Sequence, residues 1–498
     1  MSFVRRWTPQ RLTLAILFVL IFAMAVRVPT DTDTWWHIRS GRYIVEQRRI
    51  PTTDPFSHTR YGQPWVDHSW GAQLALYGVY SLFGDGIEPG AGGNIGLALY
   101  MAALATLGMA FVYRMSAANV YVRAFALVLG TATAAVFWSP RPQMFSFALA
   151  ALLLYLLHLY KRRHVDRLWL IPPLIALWAN LHGGFAIGFI FLLGFLLGEA
   201  LGNVFAETDD PRVVRWGRLR KVALITLIAV PAVALNPYGV QMLAYPFRTV
   251  NIGVLQDFIQ EWASPDFHER QTWPFIALLL GTLGMAALNR RRIDWTDLTL
   301  VSGTAAMALM SGRNMSVFAI AATPVLTRHL EAWLTERGWV LRPRRHVSTA
   351  QGWLNLVLLL LIVLGALGKI AGALDPQVVR RAQEERFPVQ LAAFLRTTPP
   401  PGRMFNSYNW GGYLMFAAPN VPVYVDGRTD LYDDAFLREY LSVVFVREGW
   451  AETLDAQGID FVAIEGQSVL AAMLRTMPQR WAERQFDDGR SALFVRVR

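Results

Sequence analysis

Apolar runs near the length that crosses a bilayer recur from residue 12 to residue 374, and a chain patterned in this way cannot close an ordinary soluble core. A membrane helix needs about 20 predominantly apolar residues. Such runs lie at about Leu12–Val28, Asn94–Tyr113, Val122–Trp138, Met144–Tyr160, Leu168–Asn180, Phe185–Asn203, Val222–Leu235, Trp273–Leu288, Leu298–Met310, Met315–Thr327 and Trp353–Leu374. They predict an α-helical polytopic membrane protein of about eleven spans. Composition agrees, with 54% hydrophobic against 17% charged residues and a mean hydropathy of +0.31. Leu12–Val28 reads as a retained anchor, because no small-residue cleavage site closes it as in a signal peptide.

Charge orients these runs. Arg5, Arg6 and Arg11 precede the first, and further basic groups fall in alternate loops: Arg114 and Arg123; Lys161, Arg162, Arg163 and Arg167; Arg212 to Lys221; Arg290 to Arg292; Arg342, Arg344 and Arg345. Cytoplasmic loops keep the Lys/Arg excess, so the N-terminus is expected inside and the first loop, residues 29–93, outside the cell membrane. The short run 71–83 is read as an interfacial helix, since a full span there would invert everything after it. The net charge of +11 and pI near 10.0 are then a topology signal, not the footprint of a nucleic-acid partner. The absence of cysteine excludes disulfides, thiolate metal sites and a cysteine nucleophile.

From Asp375 the pattern changes. FPVQLAAFLRTT is helical, VPVYVDGR and IDFVAIE are strand-like, and ALFVRV reads as a hairpin strand. The expectation is a membrane region over 1–374 and a small extracytoplasmic α/β domain over 375–498.

The chemistry gathers in the loops left outside. Asp31 to Trp70 holds Asp31, Asp33, His37, Asp54, His58, Asp67 and His68 among several tryptophans. An aspartate there can simply cap a helix, but capping accounts for one acid, not the set. Other external junctions carry Arg141 and Gln143 in RPQ, Asn180 and His182 in NLHGG, Tyr238 in NPYG, Glu261 and Trp262 in QEWASPDF, and Arg313 and Asn314 in SGRN. Each has a plain alternative: a snorkelling arginine, a hydrogen-bonded structural histidine, an aromatic-belt residue. Jointly they fall on one face of a topology assigned without them. In the C-terminal segment, Tyr408, Trp410, Asp426 and Arg428 can meet an acceptor; otherwise Asp426-Gly427 is a turn and Arg428 pairs with Asp430 or Asp433 on the surface.

The D-x-D-x-W-W-H loop, with RPQ, NLHG, NPYG and FNSYNWGGYL followed by DGR, resembles the GT-C superfamily of membrane glycosyltransferases, of the aminoarabinose, protein mannosyl and lipopolysaccharide galacturonosyl type, in an uncharacterised bacterial branch. The resemblance implies sugar transfer, with inversion, from a polyprenyl-phosphate donor to an extracytoplasmic lipid, glycan or protein acceptor. Asp33, in preference to Asp31, is then the catalytic carboxylate, with His37 or Asp31 tuning it and Arg141 and Arg313 holding phosphate. The other junction residues and His68 would bind substrate. Asp31, Asp33, His37 and His68 are the candidates for a divalent cation. Two rivals stand beside this: a transporter or flippase of lipid-linked sugars, disfavoured because charges avoid the span centres, and a noncatalytic envelope glycan assembly factor.

Overall fold

The computed structural model describes all residues except 1–2, 208–209, 251–252, 254–260, 343–345 and 498. Ile259 and Gln260 of the long loop, and Arg344 and Arg345, therefore lie outside the described residues. Every predicted apolar run contains a helix. Among the described residues six helices are long and apolar enough to cross a membrane by length and composition: Gly93–Met115, Val120–Phe137, Gln143–Arg162, Gly183–Phe205, Arg270–Leu288 and Thr349–Ala373. Pro9–Ala25 and Leu168–Leu181 are shorter apolar helices, and Trp216–Ala232, Trp295–Met310 and Met315–Glu336 complete the bundle. The chain is a multi-pass α-helical membrane protein.

Local chemistry starts these helices. Thr8 accepts from Arg11 N–H ahead of Pro9, Asn119 from Tyr121 and Val122, and Asp294 from Thr296. Glycines then let them approach: a Cβ on Gly130 would stand 2.1 Å from Thr323 Oγ1, and one on Gly108 2.5 Å from the Phe147 ring. The two ends of the bundle differ. Arg141 precedes the Gln143–Arg162 helix, and Lys161 and Arg162 end it, about 30 Å away. At that far end Lys161 bonds Glu199, Asp294 and Thr296, and Asp297 pairs with Arg162 and Arg328.

The first loop is largely helical. Thr34–Gln47 packs on Trp70–Phe83, which packs in turn on Gly93–Met115. Gly41 makes the first contact close, since a Cβ there would lie 2.2 Å from the Gln73 carbonyl oxygen.

The C-terminal region carries a four-stranded sheet in the order β1-β2-β4-β3, with β1 Arg403–Asn406, β2 Ile459–Glu465, β3 Trp481–Gln485 and β4 Ser491–Arg496. β1 and β2 are parallel; β4 is antiparallel to both β2 and β3. Alternation splits the sheet between two cores. Met404, Phe461, Ala463 and Leu493 join the core of the membrane helices, while Phe405, Val462, Ile464 and Phe494 face a separate one with Tyr424, Leu437 and Leu470. One face of the sheet thus shares a core with the membrane helices. The predicted VPVYVDGR strand is not in the sheet: Val423 instead forms an isolated parallel bridge with Ser57 of the first loop. The segment's carbonyls accept from that loop, with His58 N–H donating to Val423 O at 2.9 Å and Thr59 Oγ1 to Tyr424 O at 2.6 Å.

Candidate active site

Asp33 occupies the N-cap position of the Thr34–Gln47 helix, yet its side chain makes no capping bond. It turns instead to Arg141. Thr34 Oγ1 donates to Pro140 O at 3.3 Å and so docks the helix start on the R-P-Q turn. Arg141 then reaches three carboxylates: Nη1 donates to Asp33 Oδ2 at 2.5 Å, Nη2 to Glu261 Oε1 at 2.5 Å, and Nε lies 3.3 Å from Asp31 Oδ2. Asp33 N–H also donates to Asp31 Oδ1 at 2.9 Å. Glu261 is fixed through its backbone, which accepts from Arg313 N–H and Ser311 Oγ.

One guanidinium among three carboxylates leaves excess negative charge in a confined place. Burial, offset by Arg141 and reinforced by Asp31 and Glu261, pushes the Asp33 carboxyl up to about 7. A carboxylate of that pKa accepts a proton readily near neutral pH.

Beside Glu261 opens a cavity of about 690 Å³. Its wall combines polar residues, Gln143, His182, His68, Arg313 and Asn314, with apolar ones from the helices, Phe147, Ile187 and Val317. Arg313 stacks its guanidinium 4.4 Å above the Trp262 ring and forms no salt bridge among the described residues. Burial lowers its pKa from the usual guanidinium value, so an anion placed there would be welcome. His182 Nδ1 accepts from Gly184 N–H at 3.1 Å and lies 2.8 Å from Ser146 Oγ, which accepts the Trp178 indole N–H. Its proton is thereby assigned to Nε2. His68 Nδ1 lies 2.6 Å from Tyr245 Oη, and its ring stacks on that tyrosine at 4.4 Å. Burial, with Arg313 adding, brings His68 down to about 3, so it is neutral at physiological pH.

Several sequence expectations need correction. Arg141, expected to hold phosphate, directs its nitrogens here to Asp31, Asp33, Glu261 and Ser139 Oγ. His37 does not join the Asp33 carboxylate: it stacks on Trp36 and its Nδ1 lies 3.4 Å from Gln73 Nε2. Asn180 receives the Trp70 indole N–H and donates to Ala176 O and Leu235 O, and Tyr238 donates to Pro51 O while accepting Asp67 N–H. Both residues fasten the first loop to the bundle. Asp426 and Arg428 are fully buried. Arg428 Nη2 donates to Asp426 Oδ2 at 2.7 Å and Nη1 to Asp54 Oδ1 at 2.6 Å, which also removes the surface pairing with Asp430 or Asp433.

The metal expectation fares similarly. Among the described residues no three His, Asp or Glu side chains converge as a metal site. Arg141 stands between the carboxylates of Asp31, Asp33 and Glu261, while His37 and His68 are held apart on Gln73 and Tyr245. The four candidates do not form one site.

Sequence reading missed Tyr245, Ser146 and Asp430. Asp430 lies 3.8 Å from His68 Nδ1, hydrogen-bonds Tyr245, and is raised to about 6 by burial. The available signal for Tyr245 was the amphipathic stretch Gln241–Val250 with a proline inside it.

No protein-family model matches the chain, and no curated protein matches it in sequence. Solved structures do match. The oligosaccharyltransferase of Archaeoglobus fulgidus in its apo form superposes with a TM-score of 0.56 at 13% identity, covering 91% of this chain and 69% of that one. The same enzyme tethered to an acceptor peptide containing an NVT sequon gives 0.54 at 14% identity over the same shares, 91% and 69%. ArnT from Cupriavidus metallidurans in the apo state gives 0.50 at 13% identity, covering 97% of this chain and 98% of that one. At such identities the likeness is one of fold. The chain has the fold of the GT-C membrane glycosyltransferases.

Proposed function

We propose that this protein is a GT-C-type glycosyltransferase that moves a sugar from a polyprenyl-phosphate donor to an acceptor hydroxyl or amide, on a lipid, glycan or protein, outside the cytoplasmic membrane. The observation that carries this reading is the cavity: an apolar trough between membrane helices suits an isoprenoid chain, and its wall includes Arg313, a cation without a carboxylate partner among the described residues. The Asp33 carboxylate lies one arginine away from its mouth, through Glu261 and Arg141.

In the proposed step the acceptor heteroatom attacks the anomeric carbon and Asp33 takes its proton. The bond from that carbon to the phosphate oxygen breaks, and its electron pair leaves with the polyprenyl phosphate. Arg313 neutralises the departing charge by its planar fork. Trp262 offers a face on which a sugar ring can stack. Attack from the side opposite the phosphate inverts the anomeric configuration. Arg141 holds Asp33 in place, and Asp31 restricts it from the other side. The N-terminus would be cytoplasmic, placing the carboxylate cluster outside.

The test is mass spectrometry of lipids and glycans in cells carrying wild type or Asp33→Asn. Accumulation of one lipid-linked sugar with loss of its product supports the reading and names the sugar and carrier. Unchanged lipids with undiminished product would overturn it, and export of an intact lipid-linked sugar would replace it by transport. Orientation is tested separately, because the chain has no cysteine to interfere. Labelling of an Arg163→Cys variant by an impermeant reagent from outside would invert the assigned topology.

A further inference from the structure

The segment 421–432 packs Tyr424, Val425 and Tyr432 into the C-terminal core and also lies along the first loop, bridged at Val423–Ser57. Within it Gly427 meets the catalytic cluster. A Cβ on Gly427 would stand 2.0 Å from Asp33 Oδ1 and 3.2 Å from Trp36 Nε1. Gly427 has no positive φ, and the close approach of Asp33 is what excludes a side chain there. Its neighbours repeat the pattern: a Cβ on Gly411 would lie 2.1 Å from Val425 O, and one on Gly412 2.8 Å from Thr32 O. Gly412 and Gly427 thus meet residues 32 and 33 directly, and Gly411 lets the Val425–Asp426 backbone close against its own helix.

The seam is locked by the adjacent residues. Asp54 accepts from Phe56 N–H, Ser57 N–H and Ser57 Oγ, so its carboxylate is fully engaged before Arg428 arrives. Arg428 joins it to Asp426, and Tyr432 donates its hydroxyl to Asp426 Oδ2 at 3.0 Å. Gly427 sits between two anchored residues and cannot drift.

We propose that Gly427 is a positioning residue for Asp33, and that the C-terminal region is thereby part of the catalytic centre. Arg141 takes Oδ2, and the Gly427 backbone walls off Oδ1, so the carboxylate cannot rotate. The side chain remains 26% exposed, which leaves one direction of approach for the acceptor group that gives up its proton. This inference rests on Asp33 being the base of the transfer proposed above.

The experiment uses full-length protein in detergent, with Gly427→Ala, Asp33→Ala and the double variant. Thermal unfolding reads the contact without any substrate. Gly427→Ala should lower Tm clearly in the wild-type background and much less once Asp33→Ala has removed the carboxylate. Equal losses in both backgrounds would overturn the contact. If Gly427→Ala alone fails to fold, recovery of folded protein in the double variant supports the contact and continued failure overturns it. Function is read as sugar release from undecaprenyl-phosphate-linked sugars across pH, beside binding of undecaprenyl phosphate. Gly427→Ala should slow release by roughly 10- to 100-fold and shift the rising pH limb, with undecaprenyl phosphate binding held within about twofold. Full release with an unshifted limb would overturn the positioning role. A wild type that releases no sugar overturns the transfer reading and this role with it, while the coupling in Tm separately decides the contact.

Discussion

Two arginines, each set among aspartates from distant parts of the chain, do opposite work. Arg428 is 0% exposed, as are the side chains of its partners Asp54 and Asp426, and its guanidinium lies 4.8 Å over the Trp65 ring. Both carboxylates beside it are answered by its guanidinium. Arg141 faces three carboxylates whose side chains are 18%, 26% and 32% exposed for Asp31, Asp33 and Glu261. That cluster is open on one side and short of positive charge. A sealed, satisfied network fixes structure; an open one with surplus carboxylate holds a proton acceptor ready.

The largest expected effect lies in the sealed network. Arg428→Ala leaves two buried carboxylates unpaired and should cost about 3–5 kcal/mol of stability, read as lost folded protein and lower Tm in detergent. Joint replacement, Asp54→Asn with Asp426→Asn and Arg428→Met, should recover part of that loss. A mild Arg428→Ala would erase the distinction between the two clusters.

Next comes the open cluster. Asp33→Asn should keep Tm near wild type and reduce transfer by roughly 100-fold or more. If Asp31→Asn were the inactive variant and Asp33→Asn the active one, the base would move by two residues.

A smaller effect is expected for Arg313. Arg313→Ala should weaken binding of undecaprenyl phosphate by roughly tenfold, measured by titration in detergent. Arg141→Ala should spare that affinity while slowing transfer, because it orients the base.

The pH profile sharpens the same contrast. Asp33, raised to about 7, is active only when deprotonated, so transfer should climb as pH rises and level off above about 7. A flat profile between pH 5 and 8 would argue against this base.

The smallest effect is a change of slope. Burial raises Asp67 to about 7 and Asp430 to about 6, above the ordinary carboxylate range. The folded state then binds more protons than the unfolded chain between about pH 4 and 7, so stability falls as pH rises through that window. Asp67→Asn should flatten the fall. The check is Tm against pH for both proteins.

The hydrophobic spacing determined where helices form, because each apolar run can satisfy its backbone in lipid only by closing its own hydrogen bonds. Strand alternation did the same for IDFVAIE and ALFVRV, which became β2 and β4. The polar junctions were legible as a set, and Glu261, His182, His68, Arg313 and Asn314 do line one cavity.

What the sequence left open was which polar group faces which. Asp33 and Arg141 are 108 residues apart, and Asp54 and Arg428 are 374 apart. No local period encodes such pairs. Arg141 and Arg428 are equally plain as letters, and only burial and partner count set one in an open carboxylate cluster and the other in a sealed one. Gly427 shows the same limit: its dipeptide with Asp426 signals a turn, but it has no positive φ, and the carboxylate packed against it is what forbids a side chain. Periodicity reports the solvent each face prefers, so it fixes elements; charge pairing and close approach depend on distances that exist only once the chain is folded.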